Sequence, residues 1–552
     1  MTRGTYIDDN SAHTETVFDG LYQETQGGMT LDSTGSGAVK SFLANGDVPA
    51  CLQAALDVAD GQHGVTGEMI VDSVLKGMRV HQRLHGVLPT ADVTLAALDQ
   101  VKAHMADGKG LQLDGVGGTA HHDPLSTQPE RIQIGILSQI AEAFPAATYL
   151  PVGIGSNQAL LGIVAHQAAS ANGEYASGDT LDGVNIGKSF LSSERTAVLT
   201  LAADRLSAAG ALVLNTAGGQ IPLLRNRTII YVNGFPVAEE NGNYQQQTVT
   251  NSAISGLAIL KGVEYTITGQ VKPATGEVAL TFNPALPDGT KVVAEGYLDY
   301  EAQPNLAPEI QTRVQTFSLF AKPWRGVMRQ TIDSKSQYEQ ELGLNLLNES
   351  LVTARNQITV ERHRSILRKA VDLAASNVQT FNFDYTGQME QKTRAQIWQD
   401  FSAILGLVDQ QMAEDTMDRG VTHLYITKLV KAQWESLPSD LFEKSGITSQ
   451  PGIYRVGKLF GRYEVYYTPW EVREDQAAGT AQILCLGRSM TPARNTFVMG
   501  DAVPVITLPT ALNTDMRYGQ IVYTRNFTSV NPHRPSARGC GLINVTGLFK
   551  AA

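Results

Sequence analysis

Gly187-Lys188-Ser189 ends like a phosphate-binding loop, whose backbone N–H groups would cradle phosphates while the lysine reaches them. That motif needs four residues between its glycines. Only three separate Gly183 from Gly187, Asp182 stands where the first glycine belongs, and a polar stretch leads in. His81 and His85 are four apart, the spacing that puts two imidazoles on one helix face as in a zinc pair. Gln82 takes the place of the glutamate a zinc protease needs, and no third ligand is evident, so the pair is expected as two surface histidines. His121-His122-Asp123 falls in a Gly/Pro/Ser loop and reads as solvated. Gly153-Ile154-Gly155 lacks the third glycine of a dinucleotide fingerprint, and no G-x-S-x-G elbow occurs. Cys51, Cys485 and Cys540 are far apart, without the C-x-x-C spacing of a metal knuckle or the even count of a disulfide framework. Tyr463, Tyr466, Tyr467 and Trp470 could stack on a flat ligand, yet they read better as strand-core residues. Triads are assembled from distant positions, so an enzyme is not excluded. With every standard constellation missing, the expectation is no catalytic, cofactor-binding or metal residue, and a structural protein.

The composition points the same way. In 552 residues, 43 Lys and Arg face 54 Asp and Glu, a net charge of −11. That balance argues against a tight, sequence-independent grip on nucleic acid. Charged residues make up 18% and hydrophobic ones 42%. Typical soluble domains carry about 25% charge, so this surface fits one partly covered by neighbours, and the chain is not a disordered one. The length predicts roughly three or four domains. No apolar run approaches the roughly 20 residues that span a bilayer. The first residues carry no apolar signal core, and the reading is a soluble, non-secreted chain with no disulfide demand.

Residues 1–48 are polar and Gly/Ser/Thr/Asp-rich and are predicted as an extended arm. Apolar residues at helical spacing predict helices in 49–60, 66–86 and 92–107, and the Gly/Pro-dense stretch 113–130 ends that region. ALLGIVAHQ and FLSSERTAVLTL flank a polar tip, 171–189, and together predict one long hairpin. Residues 220–302 alternate or are β-branched between PATG and LPDGT turns, and predict an inserted small β-domain. Ser336-Gln337-Tyr338-Glu339 is a capping-box pattern opening a helix to about 376. Its latter half carries Arg362, Arg364, Arg368 and Lys369, which suit a helix C-terminus and read as a solvated basic face. The last 170 residues predict an α+β unit, with an amphipathic helix at 394–412 and several late strands.

The order of extended strand, long helix, helix–strand unit and late strands resembles the major capsid protein of tailed bacteriophages. The likeness is to the Hong Kong ninety-seven capsid fold in its diverged, large contractile-tailed form. FSLFAKPWRGVMRQTID followed by the long helix looks like the return strand of the E-loop and the spine helix. THLYITKLVKAQWESL looks like an A-domain strand entering a helix, and GIYRVGKLFGRYEVYYTPWEV like the family's V-G-x-l-x-G-x-x-V strand pair. GDAVPVITLPT and NPHRPSARGCGLINVTGL look like the end of the A-domain and the return to the peripheral domain. The β-insert and residues 1–130 are additions to the minimal fold.

The resemblance implies an α+β capsid fold in five parts. These are an N-terminal arm and helical extension (1–130), an N-arm and E-loop region (131–219), the inserted β-domain (220–302), the E-loop return strand with the spine helix (303–392), and the A-domain with the C-terminal return strands (393–552). It implies self-assembly as hexameric and pentameric capsomers into a virion shell built in the host cytoplasm. Such a shell encloses double-stranded DNA without binding it specifically, needs no membrane or cofactor, and has portal, scaffold, maturation protease and decoration proteins as partner classes. Candidate inter-subunit contacts are Lys188, Trp324, Arg325, Tyr338, Arg362 and Arg364. Some family members cross-link an E-loop lysine to an asparagine, and Lys188 is the only lysine at the polar tip. The rival readings are a tail or baseplate protein with an immunoglobulin-like module, and a cytoplasmic enzyme with a β-accessory domain.

Overall fold

The computed structural model describes residues 6–25, 33–45, 48–59, 66–106, 136, 139–140, 143–152, 157–241, 250–331, 333, 337, 346–388, 390–510 and 517–548. The chain divides into two units, one of Met1–Ile163 with Thr316–Ala552 and one of Val164–Gln315. It passes from one to the other within the strands Gln158–Ala168 and Ile310–Phe320, which pair as a two-stranded ribbon.

The larger unit begins with five helices, Tyr6–Glu24, Ser33–Asn45, Ala50–Ala59, Gly67–His85 and Ala91–Ala106. The first two stand where an extended arm was predicted. Their apolar residues are sparse, but Phe18, Leu21 and Tyr22 keep helical spacing and are buried together with Val39. In the fourth helix, Thr66 caps the N-terminus through the Met69 N–H, and left-handed Gly86 closes the C-terminus. His81 and His85 are buried, not on the surface as expected. They continue the stripe of Ile70, Val74 and Met78 around the same helix face, so burial follows from position despite their polarity. These helices share one core with Ile366, Leu367 and Ala370 of the long helix and with Leu484, Leu486, Phe497 and Met499 of the sheets.

The long helix is described from Leu346 to Leu373, and its predicted start at 336–339 lies outside the described residues. A four-stranded sheet runs Ala147–Tyr149, Phe497–Thr510, Arg517–Val530, Lys322–Thr331, with only the first pair parallel. A mixed eight-stranded sheet runs Val378–Asn382, Cys540–Thr546, Thr480–Leu486, His423–Ile426, Tyr463–Tyr467, Tyr454–Leu459, Phe442–Lys444, with Glu474–Asp475 paired onto Thr480–Leu486. The helix Arg394–Thr416 opens with a capping box between Thr393 and Gln396. It buries Ile397, Trp398, Phe401, Leu405, Val408 and Met412, at the three-and-four spacing that keeps them on one face. Trp398 meets Trp434 edge-on with ring centroids 5.5 Å apart. The segment Tyr454–Tyr467, with three residues between Gly461 and Val465 where the family pattern has two, is a hairpin. Val456, just before Gly457, is its bulge, and left-handed Phe460 and Gly461 make its turn.

The smaller unit is built on a nine-stranded sheet in the order Glu194–Val198, Val292–Tyr297, Ile229–Val232, Phe235–Glu240, Ser252–Leu260, Val263–Lys272, Glu277–Asn283, Ser207–Ala211, Thr200–Leu201. Its sheet takes in strands from 194 onward, ahead of the predicted start at 220. The predicted hairpin is a correction. Glu194–Val198 pairs with Val292–Tyr297, and Gln158–Ala168 pairs with Ile310–Phe320. Both segments are strands, as their alternation says, but alternation carries no information about the partner.

Candidate assembly surface

Strand alternation gives the ribbon two unlike faces. At its root Ala159, Leu161, Ile163 and Leu319 are buried against Val152, Val498, Ala502 and Phe527. The intervening Leu160 is 69% exposed and Phe320 61%. Further along the strands, Val164, Ile310 and Val314 are also exposed. Gln158 Nε2 donates to Ser318 Oγ at 2.5 Å, and His166 Nδ1 lies 3.2 Å from Thr312 Oγ1. A two-stranded ribbon is marginal in water, and its outer edges offer unpaired N–H and C=O groups. Five exposed apolar side chains on such a ribbon make it a surface suited to being covered.

Within the smaller unit, the loop after the first ribbon strand folds over an open cleft of about 770 Å³. Tyr175 and Phe190 meet edge-on at 5.4 Å, and the Lys188 ammonium lies 5.9 Å from the Tyr175 ring centroid. The cation therefore rests on an aromatic face and has no phosphate cradle around it. Arg195 anchors the loop by donating to the carbonyls of Leu214, Ser192 and Glu194 and to Asn172 Oδ1. Val184, Ile186 and Leu191 are exposed beside Lys188.

The other candidates are scattered. Trp324 pairs opposite Thr524 and is half-buried, and Arg325 lies 5.9 Å from the Tyr523 ring centroid. Tyr338 lies outside the described residues, as do His121-His122-Asp123 and Gly153-Ile154-Gly155. The basic half of the long helix is a solvated face only in part. Arg362 Nη2 is 3.0 Å from Asp501 Oδ1, with the two side chains 12% and 9% exposed. Arg364 Nε is 2.6 Å from Glu471 Oε1, and Lys369 Nζ donates to the Thr528 carbonyl at 2.7 Å. Arg362 and Lys369 are thus engaged by the 497–530 strands, while Arg364 and Arg368 stay exposed.

No family model matches the chain, and no curated protein matches it. Among solved structures, it is similar to the capsid of jumbo bacteriophage PhiKZ at 10% identity, over 73% of this chain and 92% of that one, with a TM-score of 0.35. The capsid of Myoviridae phage XM1 aligns at 10% identity over 56% and 89%, with a TM-score of 0.25. The holo-SrpI encapsulin complex from Synechococcus elongatus PCC 7942 aligns at 11% identity over 44% and 80%, with a TM-score of 0.28. Two of these are phage capsids.

Several interior groups had no legible signal in sequence. Arg488 donates to Thr90 Oγ1 at 2.5 Å, to Asp92 Oδ1 at 2.8 Å and to the Pro145 carbonyl, while Asp92 Oδ2 accepts the Tyr149 N–H. It clamps the N-terminal helices to the mixed sheet. Arg419 donates to the Gly487, Arg494 and Ser536 carbonyls and to Thr496 Oγ1, and burial lowers its pKa to about 10. His81 and His85 lie with ring centroids 4.4 Å apart, and His85 and His423 each approach Tyr466 at 5.9 Å. Burial pushes His81 down to about 4 and His423 to about 3, and takes His85 well below its ordinary value. The buried thiols of Cys485 and Cys540 are pushed up by burial and stay protonated. Among the described residues, no group of three His, Cys, Asp or Glu could hold a metal ion, and no helix is long and apolar enough to cross a membrane.

Proposed function

We propose that the chain is the major capsid protein of a tailed double-stranded DNA bacteriophage, assembling as hexamers and pentamers into an icosahedral virion shell. The observation that supports this reading is the ribbon, rooted in the core on one face and bare and apolar on the other. Its long helix and mixed sheet supply the stiff body that such a ribbon would brace. Capsomers close by heterologous contacts, in which one patch meets a different patch on the next copy. Burying Leu160, Val164, Ile310, Val314 and Phe320 against a neighbouring copy is worth about 1–2 kcal/mol each at their present exposure. Lys188, Trp324, Arg325 and Arg364 remain the candidate contacts with an accessible side chain, and portal, scaffold, maturation protease and decoration proteins are the further partner classes.

Negative-stain microscopy and sedimentation of the purified chain test this reading. Shells or hexameric capsomers are expected, and a double variant Leu160→Asp, Phe320→Asp should remain a folded monomer. A wild-type chain that stays monomeric, or a double variant that assembles normally, overturns it. Straight tubes or small rings in place of shells would favour the tail or baseplate reading.

A further inference from the structure

An apolar band crosses five neighbouring strands on the outside of the smaller unit. Val198 lies opposite Val293, Val293 opposite Tyr231, and Tyr231 opposite Pro236. On the next strand Gly256 pairs with Ala238, and Leu257 and Ile259 follow it. Ala294, Ile230 and Ala258, next to band residues in sequence, are buried in the unit's core, so alternation turns the band outward. Val198 and Ile259 are 62% and 63% exposed, and Leu257 48%. Glu295 and Glu239 stand in the row beside the band, each opposite Ile229, and Glu264 stands opposite Ile259. The surface thus has an apolar centre and an acidic rim, the anatomy of an interface.

The rim decides the occupant. Two bands face to face would set carboxylates against carboxylates, and such a like-to-like contact closes at a dimer. A shell needs one patch to meet a different patch, and the ribbon supplies one. Its strands Gln158–Ala168 and Ile310–Phe320 contain no Asp or Glu and carry the exposed Arg313, which suits an acidic rim. The exposed group Val184, Ile186 and Leu191 lies beside Lys188 and would set that cation against Arg313. Five strands measure about 19 Å across and the ribbon from Val314 to Phe320 about 20 Å, so band and ribbon match in length. We propose that the bare face of the ribbon docks on this band of a second copy. The proposal rests on assembly of the chain with itself and names the surface that receives the ribbon. Covered with their rims, the two patches remove on the order of 1,000 Å² from water, the size at which specific interfaces begin.

Sedimentation of two double variants of the full chain tests the pairing. Leu257→Asp, Ile259→Asp spoils the band and keeps the ribbon, whereas Leu160→Asp, Phe320→Asp spoils the ribbon and keeps the band. Each alone should be a monomer with unchanged circular dichroism, because all four side chains are exposed. Mixed at about 100 μM, as an interface of this modest size requires, they should form a one-to-one dimer that grows no further. In that dimer the intact ribbon of one variant sits on the intact band of the other. If wild type assembles and the band variant assembles equally well, the proposal is overturned while assembly stands. A mixture that stays monomeric also overturns it, and gives the band to a different partner. A wild-type chain that stays monomeric overturns the assembly reading and the proposal with it. If the band aspartates prevent folding, Leu257→Ser, Ile259→Thr takes their place with the same outcomes.

Discussion

Arg488→Met is the sharpest test of whether the N-terminal helices belong to the folded body. Arg488 and Asp92 are 17% and 9% exposed, so removing the guanidinium leaves a nearly buried carboxylate without its countercharge. Breaking a buried pair in this way costs about 3–5 kcal/mol. Asp92 keeps the Thr90 hydroxyl and the Tyr149 N–H, which places the expected cost near the lower end, about 3 kcal/mol. The loss should fall on the attachment of the helices, since Arg488 binds Thr90, Asp92 and Pro145 across that junction. Hydrogen exchange by mass spectrometry reads it directly. Amides of Gly67–His85 should lose protection by about a hundredfold, while those of Arg394–Thr416 change little. The double variant Arg488→Met, Asp92→Asn leaves neither charge stranded and should recover much of the protection. A change in Gly67–His85 below about fivefold, or a double variant equal to the sum of the singles, would refute the clamp. The N-terminal helices would then be only loosely attached to the sheets.

The buried histidines make stability depend on acid. His81 and His423 titrate near their ordinary 6.5 when unfolded but at about 4 and about 3 when folded, so the unfolded chain binds protons first. Their contribution is complete above about pH 6.5 and is lost as pH falls through about 4 for His81 and about 3 for His423, and a thermal midpoint unchanged between pH 7 and pH 4.5 would contradict their burial. Arg419→Lys cannot reach all four acceptors and should cost about 3 kcal/mol, read as a fall in the thermal midpoint. A Cβ at Gly457 would collide with the Glu443 carbonyl oxygen and the Phe442 ring. Gly457→Ala should therefore cost about 1–3 kcal/mol and open Phe442–Lys444 to protease, and an unaltered digestion pattern would show that the bulge tolerates the methyl.

What was legible in the sequence was local. The helix Arg394–Thr416 follows from its own spacing, and the Tyr454–Tyr467 hairpin from its glycines, because the causes lie within a few residues. Partner choice was not local. Gln158–Ala168 could pair equally well, by pattern, with the segment just after the polar tip or with one about 150 residues away. His81 and His85 looked exposed because type was weighed before position on the stripe. Arg362 looked solvated because Asp501, its partner, is 139 positions away and nothing between them signals the contact. The exposed apolar residues of the ribbon had no signature at all, since a strand residue facing water and one facing a core are written alike.

The ribbon also constrains the order in which the chain can fold. His166 and Thr312 lie side by side although 146 residues separate them in sequence. Closing a flexible loop of that length costs about 4 kcal/mol in the length-dependent entropy alone, more than a bare two-stranded pairing returns. Once Val164–Gln315 has folded by itself, its two ends already lie together and most of that entropy has been removed. The inserted unit thus acts as the turn of a hairpin enlarged to a whole domain. A variant in which residues 169–309 are replaced by a tight two-residue turn should form the same ribbon faster, with the larger unit unchanged.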